Sequence, residues 1–247
     1  KINECPYVDE FMDYEFLVYD ACMQKDEKKA ELMTVKYALK NKVIKTQWHA
    51  FWLAHELKWF EDLGANPKNF RIRQHIATEK SHYALDTWDL EYKFPFGWKE
   101  LQGMANRTDF DLKQHIEHSK TDLSIYDEET KSKVVPYVVA EPSQGVDRAF
   151  LVFMFDAYTT RKDEKDKDVV VLKLHPKLAP FKAAIYPLVN KLEADAREVY
   201  DKLKYDIPVT FDRAGSIGRR YVRADETGVP FCVTFDFDSK DDKSVTI

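Results

Sequence analysis

The 247-residue chain has no CxxC pair, no HxxxH or HExxH spacing, and no apolar run near the ~20 residues that a membrane helix needs. Its cysteines, Cys5, Cys22 and Cys232, are odd in number and unpaired in spacing. Neither a disulfide framework nor a zinc site is suggested, and free thiols in a reducing cytoplasm are expected. His115 and His118 stand three apart in a helical stretch, but no third ligand accompanies them. No sign of charge dominates either: 38 Lys and Arg face 43 Asp and Glu, a formal charge of −5. That balance does not announce a nucleic-acid binder, although binding depends on where charges lie as well as on their sum. The chain lacks the nucleophile–base pair of a hydrolase, and it shows no repeat or low-complexity segment. It opens at Lys1 without an initiating methionine or a signal peptide, and its start reads as a cut.

Apolar mass is what the chain does have. Hydrophobic residues make up 44% and aromatics 14%, enough for a sizeable core. Residues 10–20, "EFMDYEFLVYD", alternate as a strand with Met12, Tyr14, Phe16 and Val18 on one face. The lysine-rich stretch 26–42 predicts a polar helix. Trp48, Trp52, His55, Trp59 and Leu63 recur at helical spacing, between Thr46 as N-cap and Gly64 as C′ residue. They predict an amphipathic helix whose aromatic stripe faces the core. Segments 69–75, 84–94 and 98–107 alternate apolar and polar residues, which suits an antiparallel sheet covered on one face. A helix over 108–119 with Thr108 as its cap, and solvated loops at 127–133 and 160–168, complete this part. From residue 175 onwards strands and helices alternate, the pattern of a small α/β domain. The expected fold class is α+β followed by α/β.

Three constellations carry chemistry. In "VVAEPSQGVDRAFLVFMF" (138–155) a strand ends at Glu141 and a nearly all-apolar helix begins at Val146. The first turn of a helix favours negative charge, so Arg148 gains nothing locally from its place there. A carboxylate at a sheet edge can hold an ammonium group, and an arginine at a nearby helix start can meet a phosphate or stack on a base. The bland alternative is a buried Glu–Arg pair. In "GWKELQGMANRTDFDL", Glu100 and Gln102 are expected on one face of a strand with Arg107 at its end, which suits a phosphate ester and its metal ion. In "GSIGRRYVRADETGVPF" (215–231), Arg219, Arg220 and Arg223 surround Tyr221. That basic, aromatic patch suits a nucleic-acid backbone or an unstacked base. Its alternative is a solvated helix face balanced by Asp225 and Glu226.

Together these blocks resemble one family, the homodimeric glycyl-tRNA synthetases of class II. "FRIRQHIATEKSHYALDTWDLEYKFPFGWKELQGMANRTDFDL" resembles that family's active-site sheet and "EPSQGVDR" its motif 3. "APFKAAIYPL" with "GSIGRRYVRADETGVPFCVTFDFD" resembles its anticodon-binding domain. The likeness covers most of residues 69–247, and the order of the blocks matches.

The resemblance implies roles for particular residues. Glu141 and Ser143 would face glycine, with Glu141 on its α-ammonium, and Glu15 would be a further glycine-pocket carboxylate. Arg148 would lie against the adenine and near the γ-phosphate of ATP. Glu100 would bind ATP through Mg²⁺, and Arg107 would contact the α-phosphate region of the adenylate. Glycine has no side chain to grip, so a tight pocket that rejects a β-carbon fits this chemistry. Arg219, Arg220, Tyr221 and Arg223 would meet tRNA(Gly).

Departures accompany the likeness. Motif 1 and the Arg–x–Glu pair of motif 2 have no counterpart here, Tyr7 or its neighbours stand where a motif 2 arginine is expected, and Leu17 replaces a common acidic residue. Residues 21–46 resemble nothing, and "KSVTI" stops short of a final helix. The implied architecture is a partial class II catalytic domain over 1–174 and an incomplete anticodon-binding domain over 175–247. The implied activity is glycine–tRNA ligation in a cytoplasmic homodimer with no membrane segment, this chain alone being expected inactive for want of the motif 2 arginine. The rival reading is a synthetase-derived module that binds RNA or protein without aminoacylation.

Overall fold

In the computed structural model, which describes residues 4–163 and 166–247, Phe16 and Val18 are buried while Glu15 and Tyr19 face the other way. That alternation makes β1 (Glu15–Tyr19) a strand covered on one side, shorter than expected because Val8–Phe11 wind into a 3-10 turn. Asp20 caps the single-turn helix α1 (Ala21–Lys25) by accepting from the Met23 amide at 2.7 Å. The helix expected over 26–42 is instead β2 (Glu31–Thr34), antiparallel to β1, followed by the short helix α2 (Val35–Lys40). Pairing with β1 overrides the modest helix propensity of the lysines.

Thr46 does cap α3 (Gln47–Asp62), its hydroxyl accepting from the His49 amide at 3.2 Å, and Gly64 follows at φ +93. The core face of α3 differs from the expected stripe. His49, Ala50, Phe51, Leu53, Ala54, Leu57 and Phe60 are buried, Trp48 and Trp52 are half-buried, and His55 and Trp59 are exposed. Ala50 and Ala54 let the helix sit close beneath the sheet, which a row of indoles would prevent. That sheet adds β3 (Phe70–Gln74), β4 (Asp86–Phe94) and β5 (Gly97–Asn106), all three as expected. The helix α4 (Phe110–Ser119) starts later than expected, with Asp109 and not Thr108 at the N-cap; Thr108, at φ +61, accepts from the Phe110 amide at 3.2 Å in the turn before it. The loop expected over 127–133 is an exposed hairpin, in which residues 128–131 turn between β6 (Ile125–Asp127) and β7 (Ser132–Val134).

The sheet closes at β8 (Glu141–Gln144), giving the order β2-β1-β3-β4-β5-β8. Glu141 therefore opens a strand, whereas the sequence placed it at a strand's end. Residues before it touch the sheet through one bridge, Thr108 with Val138, and the Glu-Pro-Ser-Gln segment itself pairs with β5. A sheet accepts proline at its edge, which is where Pro142 sits.

His49 is the charged-type residue most deeply set beneath this sheet. Its Nε2 donates to the Met104 carbonyl at 3.1 Å, while Nδ1 is buried without a partner. Burial lowers its pKa, and Lys45 does so too, against opposing contributions from Asp86 and the Met104 carbonyl. The unfolded chain then binds the extra proton first. Stability should fall as pH drops below the unfolded value of about 6.5, by up to about 1.4 kcal/mol per pH unit. Urea denaturation from pH 7.5 to 5 should show this fall, and His49→Met should remove one proton's worth of the slope. An unchanged slope in the variant would refute the assignment.

The helix α5 (Val146–Ala157) leads into a second compact unit, the chain dividing at Phe150/Leu151. Of the loop expected over 160–168, residues 164–165 lie outside the described residues. Those around them belong to a hairpin of β9 (Tyr158–Lys162) and β10 (Asp168–Leu172). That hairpin packs on a helix of the second unit, so contacts divide the chain earlier than the pattern change near 175.

Next come β11 (Ala183–Pro187), α6 (Glu193–Leu203), β12 (Val209–Phe211), α7 (Ile217–Thr227), β13 (Phe231–Phe235) and the short α8 (Asp238–Asp242). The strands form a parallel sheet in the order β12-β11-β13. Ala183 and Ile185 pack towards Ala196 of α6, whereas Ala184 and Tyr186 pack towards Ala224 of α7. Burial on both faces explains why β11 reads as a continuous apolar run. Among the described residues no helix is long and apolar enough to cross a membrane.

Gly228 ends α7 in the left-handed region, at φ +70, with the Val229 amide reaching back to the Ala224 carbonyl at 3.0 Å. A β-carbon there would lie 2.7 Å from Leu174 Cδ1 and 3.1 Å from the Leu172 carbonyl oxygen. Gly228→Ala should therefore destabilise the second unit by about 2–3 kcal/mol, from left-handed strain plus overpacking. Chemical denaturation that shows no loss would contradict this packing.

Candidate active site

The face of the six-stranded sheet opposite α3 carries the polar residues. Register places Arg73 against Asp89, Asp89 against Gly103, and Gly103 against Ser143, in one row across four strands. Beside that row Ala105 faces Glu141, and Arg107 follows two residues on. Arg107 is fixed on both sides. Its Nε and Nη2 donate to the two oxygens of Asp111 at 2.7 and 3.1 Å, its Nη1 donates to Glu141 Oε2 at 2.9 Å, and its guanidinium lies over the Tyr83 ring at 4.2 Å. The Asp111 and Glu141 contacts raise the pKa of Arg107 further, and Arg107 holds that of Asp111 below its ordinary value. A permanently charged fork at this spot can meet a phosphate or carboxylate.

A β-bulge decides where Glu100 goes. Leu90 pairs with Gln102 and Glu91 with Glu100, so Leu101 is an extra residue in β5. Leu101 and Gln102 are buried, while the Glu100 side chain is 54% exposed. The expected sharing of one face by Glu100 and Gln102 is therefore corrected: a regular strand would keep them together, and the bulge turns Glu100 to the open face. Arg148, from the first turn of α5, donates through Nη1 to the Glu100 carbonyl at 2.8 Å and stands 4.0 Å from its carboxylate. Glu141, Ser143, Arg107, Glu100 and Arg148 thus share one face. Among the described residues no group of three or more His, Cys, Asp or Glu could cage a metal. Mg²⁺ is commonly bound by one or two carboxylates plus substrate phosphates, and the exposed Glu100 suits that mode.

An anticodon binding domain family matches residues 182–247, the parallel α/β sheet and its helices. Glycine–tRNA ligases of Macrococcus caseolyticus, Alkaliphilus oremlandii and Bacillus anthracis are 50%, 53% and 51% identical to the chain over 201, 202 and 201 residues. Each match covers 81% of the chain. The chain is homologous to glycine–tRNA ligases. It spans about two fifths of the length of the curated relatives it matches, 43% in each case.

Two expectations about the site do not match the geometry. Glu15 does not join the cluster. Four strand spacings separate β1 from β8, about 19 Å across the sheet. Glu15 instead borders an apolar hollow with Leu57, Phe70 and Glu61.

The basic patch of α7 does not form as one surface. Arg220 is 3% exposed, and its guanidinium donates to the carbonyls of Pro187, Arg213 and Gly215 at 2.5, 3.0 and 2.9 Å. Tyr221 is half-buried with its hydroxyl 2.8 Å from Thr234 Oγ1. Arg223 pairs with Asp212 and donates to the Ala214 carbonyl. Arg219 is exposed, and the Arg223 side chain stays 43% exposed although tied to Asp212. Asp225, expected to balance the patch, is instead held by Arg161 at 2.5 Å.

The sequence reading missed a charged network on the same open face. Arg71 is sandwiched between the rings of Tyr19 and Trp98, at 4.7 and 4.5 Å, and paired with Glu91 at 2.5 Å. Arg73 meets both oxygens of Glu79 at 2.8 Å, and His75 Nε2 meets Asp89 Oδ2 at 2.8 Å. The Asp89 hydrogen bond raises the His75 pKa despite partial burial, and Arg73 lowers that of Glu79. The alternation in "FRIRQH" held the signal, since it sets Arg71, Arg73 and His75 on the side away from Ile72.

Proposed function

We propose that the open face of the first unit binds glycine and ATP and joins them as glycyl-adenylate, and that the second unit holds tRNA(Gly) for transfer of the glycyl group. The observation that carries this is the Arg107–Glu141 pair, set with Ser143, Glu100 and Arg148 on one face of a chain homologous to glycine–tRNA ligases. Glu141 receives the α-ammonium of glycine, with Ser143 beside it. The glycine carboxylate attacks the α-phosphorus of ATP in line, an oxygen–phosphorus bond forms, and pyrophosphate leaves with its electron pair.

Arg107 faces the charge that builds on the α-phosphate oxygens. Arg148 lies along the nucleotide, and Glu100 would help hold Mg²⁺ brought in with the phosphates, which would neutralise their charge. A ribose hydroxyl at the tRNA 3′ end then attacks the glycyl carbonyl, and AMP departs. Positioning and fixed charge supply the catalysis. The same resemblance extends the reading to a homodimer working in the cytoplasm.

The test is glycine-dependent exchange of labelled pyrophosphate into ATP by the full-length protein, with alanine and serine as comparison. Exchange with glycine alone is expected. RNA binding without any amino-acid-dependent exchange would favour the binding-module reading instead.

A further inference from the structure

Gly103 lies inside β5, in the middle of the sheet, and nothing in the fold requires a glycine there. Gly64, Gly97, Gly215 and Gly228 take up left-handed backbone, but Gly103 does not. A β-carbon built on it would stand 3.7 Å from Asp89 Oδ1 and 3.9 Å from Glu100 Oε1, which is ordinary contact. The bulge is not the reason either, because the extra residue is Leu101 and pairing is regular from Gln102 onwards. A glycine inside a strand weakens it, having more backbone freedom to lose and no side chain to pack. Where turn, bulge and crowding are all ruled out, close approach of a ligand to the backbone remains.

The neighbours indicate which ligand. Ser143 lies directly across on one side and Asp89 on the other, Glu141 stands two residues along β8, and the bulge brings the Glu100 carboxylate over. Carboxylates and a hydroxyl around a bare Cα suit the ammonium end of a small α-amino acid lying flat on the strand. We propose that Gly103 is the floor of the amino-acid subsite, its missing β-carbon being a requirement of the ligand and not of the fold. This rests on the glycine-activating reading above. A methyl group on that floor lifts the ligand away from Ser143 and Glu141, and a displacement of about 1 Å costs on the order of 10²-fold in rate.

The experiment is Gly103→Ala in the full-length protein, read by glycine-dependent pyrophosphate exchange together with thermal unfolding. The expected result is a loss on the order of 10²-fold in kcat/KM for glycine, an unchanged KM for ATP, and a Tm equal to or above that of the wild type. Exchange equal to the wild type overturns the proposal. So does a lowered Tm, which makes Gly103 a packing residue, and so does a raised KM for ATP, which puts it under the nucleotide. A wild type without glycine-dependent exchange overturns the underlying reading, and the proposal with it. A wild type that exchanges beside an equally active Gly103→Ala overturns the proposal alone.

Discussion

Glu141→Ala in the full-length protein should lower glycine-dependent pyrophosphate exchange by about 10²–10³, the range seen when one preorganised charge contact is removed. The variant isolates the glycine side of the site. Arg107 keeps both hydrogen bonds to Asp111, so its guanidinium stays in place when Glu141 is lost. The Glu141 side chain is 44% exposed, and ion pairs at that exposure contribute little, so the Tm should scarcely move. Glu141→Gln keeps shape and an acceptor oxygen but removes the charge. It should recover only part of the rate if the partner is an ammonium group. ATP affinity should hold in both variants. Exchange at the wild-type level in Glu141→Ala, or a loss that follows unfolding, would remove Glu141 from the glycine subsite.

Arg220→Ala is expected to be the most damaging single change in the second unit, and for a structural reason. The guanidinium ties the end of β11 to the loop that follows β12 by donating to three backbone carbonyls. Removing it strands those acceptors beside a cavity, a loss on the order of 3 kcal/mol. For a unit of this size that corresponds to a Tm lower by roughly 12–24 °C. Hydrogen exchange of the β11 amides in the full chain should report it directly, with protection falling on the order of 10²-fold. Arg220→Lys should rescue little, because one ammonium cannot span acceptors arranged for a planar fork.

Arg219→Ala makes the contrast. Its side chain is exposed, so stability should be unaffected, and any contribution to RNA binding should appear as weaker affinity with a shallower salt dependence. Normal β11 protection in Arg220→Ala would overturn the clamp.

Much of this protein was determined by local pattern alone. The alternation of "FRIRQH", "DTWDLEYKF" and "GWKELQGMAN" and the strand–helix succession after residue 175 depend only on which neighbours share a side, and each became the element expected. The "EPSQGVDR" block likewise carried its chemistry in order, since Glu141, Ser143 and Arg148 lie within eight residues of one another.

Tertiary structure decided what depends on partners far along the chain. A register shift between β4 and β5 turned Glu100 to the open face and Gln102 beneath it, and no periodicity within β5 announces an extra residue. Pairing with β1 made a strand of Glu31–Thr34, against its helix-prone flanks. The covered side of α3 followed from the two alanines that fit under the sheet, although the tryptophans made the louder stripe. Arg220 looked like surface charge and proved to be a buried clamp, because its acceptors are carbonyls, which every residue has and no sequence displays. Side-chain type and spacing are written in the chain, whereas burial and backbone partnership arise only when distant segments meet.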